Sequence, residues 1–184
     1  MKLTDIEFED EAFKAVILAT GADTTEQVTE IRGRKSGIKK VKGLEHFPNL
    51  KLLDLTRNLI TDIDLSANKL LEELYLGNND LDEIDLSQNT QLTHLEIFIN
   101  NISELDLSAL GKLENIYANN NDLTELDLTG NPLIEEIHLN DNELEQLTLA
   151  ENCKPFIVKV ENTKLGEETR SLLKELIAPH NLSV

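Results

Sequence analysis

The sequence of 184 residues contains one cysteine, Cys153, and no tryptophan. A lone thiol cannot form a disulfide within the chain, which is typical of proteins from a reducing compartment. Basic residues are also scarce, since 17 lysines and arginines stand against 35 aspartates and glutamates. The formal charge of -18 argues against nucleic acid and anionic lipid as partners, because both require a positive surface. A basic protein partner fits better.

Long apolar runs are missing as well. The longest, around Ala15 to Ala19, is far too short to cross a bilayer, so no membrane insertion is expected. The first residues, MKLTDIEFEDEAF, place acids where a secretory signal has a positive end and an apolar middle. We therefore expect a cytoplasmic protein. The alternative is a secreted or cell-surface protein whose leader has been removed.

The motifs of common active sites are missing too. The sequence has no glycine-rich phosphate loop, no paired cysteine or histidine spacing for zinc, and no serine or cysteine nucleophile flanked by glycines. We predict no enzyme activity, no metal and no cofactor. A hydrolase is the alternative, with His94 and His138 as its candidate bases. The carboxylate pairs that could serve glycoside hydrolysis are Asp62 with Asp64 and Asp85 with Asp106, on a surface where no pocket that excludes water is expected.

Asparagine, in contrast, recurs at alternating intervals of ten and eleven residues. Nine of ten successive positions in this series hold asparagine, and the remaining position, between Asn100 and Asn121, is Leu110. The nine are Asn58, Asn68, Asn79, Asn89, Asn100, Asn121, Asn131, Asn142 and Asn152. The full repeat of 21 residues indicates a solenoid. We interpret the asparagines as structural, because their amides can bond to backbone groups that a turn leaves unpaired. A chemical role is the alternative.

Leucines fill both halves of the repeat. Half-repeats such as LEELYLGNNDL and LTHLEIFINNI fit the leucine-rich repeat pattern L-x-x-L-x-L-x-x-N-x-L, and the other halves read like LDEIDLSQNT. Both kinds alternate apolar and polar residues, as half-buried strands do. No single turn can bury its leucines alone, so neighbouring turns must stack. Seven strands of the first kind are expected to begin near residues 28, 50, 71, 92, 113, 134 and 155.

Both ends of such a stack need a cover. A helix is predicted from Glu9 to Thr20, and a second from Glu167 to Ala178. Their apolar residues on one side are, for the first, Phe13, Val16 and Ile17, and for the second, Leu172, Leu173, Leu176 and Ile177. The expected organisation is a single domain with a cap at 1–27, a solenoid at 28–165, and a capping helix and tail at 166–184.

The segment GIKKVKGLEHFPNLKLLDLTRN, preceded by FEDEAFKAVILATG and followed by repeated LDLSxN phrases, resembles bacterial leucine-rich repeat proteins of internalin type. It is most similar to the 21-residue version common in Bacteroidetes, and the resemblance covers nearly the whole chain. It implies a curved α/β solenoid whose parallel strands line a concave face that holds another protein. Relatives often carry a calcium-like loop, D-x-N-x-D-G. Here GADTTEQVTEI keeps only Asp23 of the expected ligands, so no calcium site is expected.

The outward positions of the second half-repeat hardly vary from turn to turn. They form three columns: Asp62, Glu83, Glu104 and Glu125; Asp64, Asp85, Asp106 and Asp127; and Ser66, Ser87, Ser108 and Thr129. We call this surface the acidic wall and interpret it as solvated, with the hydroxyls bonded to the backbone at the bend. A cation site or a surface that imitates a polyanion are the alternatives.

The outward positions of the first half-repeat vary instead. The central column runs Arg32, Asp54, Tyr75, Glu96, Tyr117, His138 and Lys159. Aromatic anchors ringed by polar groups are typical of interface hot spots. The predicted partner-binding residues are Tyr75, Glu96, Tyr117, His138, Glu73, His94, Phe98 and Glu136. We expect the glutamates to attract a basic surface. A different interpretation of Phe98 is that it covers the notch left by Ala118.

The run RGRKSGIKKVK holds six basic residues between Arg32 and Lys42. It either forms a positive patch at one end of the groove or pairs with the acids of the N-terminal cap.

Together these patterns favour a monomeric, non-enzymatic protein-binding module. A cytoplasmic immunity or inhibitor protein against a basic toxin or enzyme is the specific role that charge and size suggest. The alternative is an adhesion domain that binds a host protein or glycan.

Overall fold

A computed structural model describes residues 1–151, 153–177 and 181–184. Its α-helices are α1 (Glu11–Leu18) and α2 (Glu167–Leu176), and short 3-10 helices span Leu3–Asp5, Thr25–Gln27 and Leu44–His46. The strands are β1 (Glu30–Arg32), β2 (Leu52–Asp54), β3 (Glu73–Tyr75), β4 (His94–Glu96), β5 (Asn115–Tyr117), β6 (Glu125–Leu128), β7 (Glu136–His138), β8 (Gln146–Leu149), β9 (Ile157–Lys159) and β10 (Leu182–Ser183). No helix within these ranges is long and apolar enough to span a bilayer.

A parallel sheet runs the length of the molecule, in the order β1-β2-β3-β4-β5-β7-β9-β10. Each strand pairs with the equivalent residues one turn away, as in Leu53 with Leu74 and Leu95 with Ile116. These central residues are fully buried, and the leucines of successive turns form one continuous core. The seven predicted strands are confirmed, each about two residues later than expected. The pattern missed β10, because two residues are too few to show an alternation.

The second half-repeats were predicted to form strands in every turn, and the structure differs. Within the described residues only β6 and β8 pair as strands, in a separate two-stranded sheet. The equivalent stretches in earlier turns have no strand, although Leu65, Leu86 and Leu107 are buried as expected. The strand prediction is therefore wrong for those turns. Alternation indicates which side chains face the core, whereas a strand also needs ladder hydrogen bonds to the next turn.

The asparagines that follow the sheet strands bond both within a turn and between turns. Asn100 illustrates the pattern: its Nδ2 donates to the carbonyls of Ile97 at 2.9 Å and Leu76 at 3.1 Å. Its Oδ1 accepts the backbone N–H of Leu81 at 3.1 Å. The same bonds recur at Asn58, Asn79, Asn121 and Asn142. Each amide thus connects backbone groups of two successive turns.

The asparagines of the second half-repeats are more simply bonded. Asn68, Asn89 and Asn131 each donate to two backbone carbonyls, while their Oδ1 atoms have no partner among the described residues. Leu110 stands in this column and is fully buried. The carbonyls of Leu86 and Asn89, which an asparagine there would reach, each keep one backbone N–H. Asn152 lies outside the described residues.

The N-terminal cap is connected to the first turn through Asp10. Its Oδ1 accepts the backbone N–H groups of Ala12 and Phe13 at 2.8 and 3.0 Å, which starts α1. Its Oδ2 accepts those of Lys39 and Lys40 at 2.7 and 3.2 Å. Helix α1 is shorter than predicted, but Phe13 is buried against the core as expected.

The C-terminal cap contacts the core along a narrower stripe than predicted. Leu173 and Ile177, four residues apart, are buried. Leu172 and Leu176 were expected beside them and instead are 52% and 40% exposed, so that part of the prediction is wrong. A helix lying on a flat end buries one i, i+4 row, and neighbouring positions face outward. The predicted helix end at Ala178 and Pro179 falls outside the described residues.

The asparagine bonds predict different losses of stability for the two columns. In Asn79→Ala the buried N–H of Ile60 loses its partner, whereas in Asn89→Ala both carbonyls keep a backbone N–H. Because an unpaired buried group costs about 1–3 kcal/mol, Asn79→Ala should lower the free energy of unfolding by that much more than Asn89→Ala. Equilibrium urea unfolding measures both, and equal losses or the reverse order would contradict the assignment.

Asp10 should make the stability of the protein depend on acid pH. Partial burial raises the pKa of its carboxyl, but the four N–H donors outweigh burial and hold it below the ordinary 3.8. The stabilisation is therefore present above pH 3.8 and is lost as pH falls through the lower, folded-state value.

Asp10→Ala should lower the free energy of unfolding at neutral pH by about 0.5–2 kcal/mol, as expected for a lost helix cap, with a smaller difference from wild type in acid. Thermal unfolding across pH measures this. Glu104→Ala, at an exposed position of the acidic wall, serves as the control and should match wild type throughout. An Asp10→Ala penalty that is the same at every pH would contradict the role of the charge.

Candidate functional site

The outward side of the eight-stranded sheet, which we call the sheet face, carries all the predicted partner-binding residues. Strand pairing aligns Tyr75 with Glu96, Glu96 with Tyr117, and Tyr117 with His138 in one column. The adjacent column aligns Glu73, His94, Asn115 and Glu136. These side chains are half-buried, since each points away from the core but lies against its neighbours. The structure thus brings the predicted residues together, and their role in binding stays a prediction.

Four aromatic rings on this face form a continuous row, which we call the aromatic row. Ring centroids are 4.9 Å apart for Tyr75 and His94, 5.3 Å for His94 and Tyr117, and 4.4 Å for Tyr117 and His138. Neighbouring rings are tilted by 35° to 37°. His94, from the adjacent column, lies between the two tyrosines, so the rings lie over one another instead of standing apart.

Carboxylates border the aromatic row and hold its rings. The Tyr75 hydroxyl donates to Glu73 Oε2 at 2.6 Å, and the Tyr117 hydroxyl donates to Glu136 Oε2 at 2.6 Å. Burial, reinforced by the bonded glutamate, raises the pKa of both phenols, that of Tyr117 to about 12. Both hydroxyls therefore keep their protons at neutral pH. These bonds use one oxygen of each glutamate, which leaves the other oxygen for a partner.

The two histidines of the aromatic row have different surroundings. His94 Nε2 lies 3.1 Å from Glu96 Oε1, within hydrogen-bond distance. His138 Nε2 lies 3.6 Å from Glu136 Oε2 and has no hydrogen-bond partner among the described residues, and its side chain is 16% exposed. Burial and the nearby positive charge of Lys159 lower the pKa of His138, although Glu136 opposes them. His138 is therefore neutral at pH 7.

Phe98 lies at the edge of the sheet face and packs on the preceding turn. A Cβ atom added to Gly77 would fall 2.5 Å from two carbons of the Phe98 ring. The ring therefore lies directly over the Gly77 backbone, and the interpretation that it covers Ala118 is wrong. Sequence reasoning placed Gly77 in an outward column of the first half-repeat but gave it no role. Its signal is a glycine at a place where other turns have Thr56, Phe98 or Asn119.

The acidic wall is built by backbone bonds. One oxygen of each aspartate in its second column, Asp64, Asp85, Asp106 and Asp127, accepts the N–H two residues later, at 2.8 to 2.9 Å. Bonds from Ser66 and its equivalents lower the pKa of these aspartates. The backbone N–H groups at the bend are thus bonded by carboxylates, whereas the hydroxyls had been expected to bond to the backbone there. An open depression of about 520 Å³ lies between Asp106 and Asp127, and the expectation that this surface has no pocket able to exclude water stays a prediction.

The basic run divides between two surfaces. Lys42 pairs with Glu9 of the cap at 2.9 Å, and Lys40 pairs with Asp62 of the acidic wall. Three exposed residues at one end of the sheet face, Arg34, Lys35 and Arg57, have no ion pair among the described residues. Pairing with the acids of the cap therefore holds for Lys42, and a positive patch at one end of the groove stays a prediction. A metal ligand set of three or more His, Cys, Asp or Glu residues is not found in the described ranges.

Comparison with solved structures identifies the fold. The internalin inlF from Listeria monocytogenes superposes with a TM-score of 0.80 at 21% identity, over 96% of this chain and 56% of the internalin. The functional domain of InlJ from Listeria monocytogenes gives 0.53 at 22% identity, over 87% and 47%. A chain of the LRIM1/APL1C complex gives 0.68 at 21% identity, over 77% and 28%.

The protein thus spans about half the length of the two internalins. At these identities the likeness shows the fold alone. The predicted leucine-rich repeat solenoid with a helix at each end is confirmed, and its internalin-like character is confirmed at the level of the fold. Neither a family model nor a curated protein matches the sequence.

The surroundings of His138 predict its titration. Its pKa should lie below the ordinary 6.5, because burial and Lys159 both disfavour the imidazolium. Lys159→Gln should raise this pKa and Glu136→Gln should lower it further. The ring proton resonances of His138, followed by NMR across pH, measure the change, and Lys112→Gln provides a control that should leave them unmoved. A His138 pKa above 6.5 in the wild type would contradict the geometry.

Proposed function

We propose that this leucine-rich repeat solenoid is a non-enzymatic module that holds a protein partner on its sheet face. The observation that carries the proposal is the aromatic row bordered by Glu73, Glu96 and Glu136. It lies on the surface where equivalent positions differ between turns. The acidic wall, in contrast, repeats the same residues. A surface that only needs to be soluble can be uniform, whereas a surface that fits one partner has to differ from place to place.

The aromatic row is also prepared for binding before a partner arrives. Ring stacking and the bonds from Tyr75 and Tyr117 to their glutamates restrict the side chains to one arrangement. Side chains that are already ordered lose little entropy on association, and each such loss otherwise costs about 0.5–1.5 kcal/mol. Tyrosine also combines a large apolar face with a polar end, which suits an interface.

Charge favours a basic partner. The formal charge of -18 attracts cations over long range, and the three glutamates bring negative charge to the centre of the sheet face. Complementary charge of this kind mainly speeds association and selects between partners. These features support one specific role, that of a monomeric cytoplasmic immunity or inhibitor protein that covers a basic toxin or enzyme.

The solved relatives support binding in general and favour a second setting. One relative comes from the LRIM1/APL1C complex, in which a leucine-rich repeat chain assembles with another chain. The likeness to internalins favours a secreted or surface-attached domain that binds a host protein or glycan. Both roles would use the sheet face, so the same variants apply to a partner of either kind.

The test compares the two surfaces in one partner assay. Purified wild-type protein captures partners from a lysate of the source organism, mass spectrometry identifies them, and calorimetry measures the affinity of each purified partner. A double variant, Tyr75→Ala with Tyr117→Ala, should weaken binding at least about 30-fold, because one hot-spot residue contributes about 2 kcal/mol or more.

The control is Glu83→Gln with Glu104→Gln on the acidic wall, where both side chains are exposed. It should leave the affinity unchanged. Thermal unfolding of every variant checks that the fold is retained. A partner whose affinity survives the tyrosine variant, or falls only in the acidic-wall variant, would contradict the proposal.

A further inference from the structure

One residue in each turn, just after the sheet strand, has a left-handed backbone. The φ angles lie between 52° and 60° at Lys35, Arg57, Asn78, Ile99, Asn120, Asp141 and Asn162. This conformation turns the chain away from the sheet before the asparagine position. The left-handed region is crowded for residues with a Cβ atom, and asparagine and aspartate tolerate it best because their side chains bond locally.

Ile99 does not suit this position. A β-branched side chain in the left-handed region is a genuine outlier, because its two γ carbons approach the following backbone. Burial does not offset the strain, since Ile99 is 45% exposed. The equivalent positions of the adjacent turns hold Asn78 and Asn120, which are exposed and polar. A strained backbone kept without a packing benefit favours a functional role.

Phe98 and Gly77 extend this unusual position into a surface. The Phe98 ring lies on the backbone of Gly77 and is half-buried, and Ile99 follows it directly in the chain. We call these three residues the apolar corner. It lies at the edge of the sheet face, two residues beyond Glu96 of strand β4. The places of Phe98 and Ile99 hold Asn119 and Asn120 in the next turn, so the apolar side chains of the corner come from one turn.

We infer that the apolar corner is a specificity-determining contact, which receives an aliphatic or aromatic side chain from a basic segment of a partner protein. This rests on the proposed function and deepens it, because it names the anchor and the chemistry of the partner. The apolar side chain would lie on Phe98 and Ile99, and an adjacent lysine or arginine would reach the carboxylate of Glu96.

Charge complementarity selects this occupant. The centre of the sheet face is negative through Glu73, Glu96 and Glu136. The cations stand towards its ends: Arg32, Arg34, Lys35 and Arg57 at one end, and Lys159 near the other. A second copy of this chain would bring another formal charge of -18 to the contact, which opposes association. An acidic segment meets the same repulsion.

Ile99→Asn separates a functional role for Ile99 from a structural one. The variant restores the residue type of the adjacent turns, so it should raise the thermal unfolding midpoint, by about 2–4 °C for a chain of this size. If the strain at Ile99 serves binding, the variant should be more stable than wild type and should bind less tightly. A lower midpoint would overturn the strain argument.

The binding test uses a phage-displayed library of short random peptides selected on the wild-type protein. Peptides that also bind Tyr75→Ala with Tyr117→Ala are removed first, which leaves binders of the sheet face. These peptides should be enriched in an apolar residue next to lysine or arginine. Their affinity should fall about 10-fold in Ile99→Asn and in Phe98→Ala, as the loss of one buried apolar contact predicts. Asn120→Gly, at the same place one turn later, is the matched control and should bind like wild type.

The outcomes distinguish this inference from the proposed function. Peptides that need the tyrosines but ignore Ile99→Asn and Phe98→Ala would overturn the inference and leave the proposed function standing. Enrichment of acidic peptides would overturn it as well. Failure to recover any peptide that needs the tyrosines would count against both. A dimer seen by sedimentation and abolished by Ile99→Asn would replace the peptide segment with a second copy of the chain.

Discussion

The structure depends on asparagine amides that join each turn to the next. The carbonyl of Leu76 accepts one bond from Asn79 of its own turn at 2.9 Å and another from Asn100 of the following turn at 3.1 Å. The carbonyls of Leu55, Ile97 and Ala118 are shared in the same way. A buried bend with no such donor would leave backbone groups unpaired, which costs more than an average hydrogen bond contributes. The bonds therefore determine where each turn can lie on its neighbour.

This constraint gives the protein its two contrasting surfaces. Because the bends are held in register, residues 21 positions apart stand side by side along the sheet. Outward side chains are then free to differ without disturbing the core. On the sheet face they differ, and four rings from four strands meet in the aromatic row. On the acidic wall the aspartates of the second column are themselves part of the bend, which explains why that column repeats the same residue.

Much of this architecture could be predicted, because spacing reports burial. The sheet strands, the inward leucines and the asparagine turns follow from the repeat, because alternation alone shows which positions face the core. The repeat does not show towards which neighbour a surface side chain leans. Tyr75 leans onto His94 and Phe98 leans onto Gly77, and each choice depends on what a neighbouring turn leaves open. The strain at Ile99 was equally hidden, because a sequence pattern does not show backbone angles.

Amide hydrogen exchange tests the role of the asparagine bonds most directly. The backbone N–H groups of Ile60, Leu81, Ile102 and Leu123 each donate to the Oδ1 of an asparagine in the following turn. If these bonds hold the turns together, all four amides should exchange slowly and at similar rates, through unfolding of the whole solenoid. Exchange of these amides as fast as that of the exposed neighbour Thr61 would contradict the account.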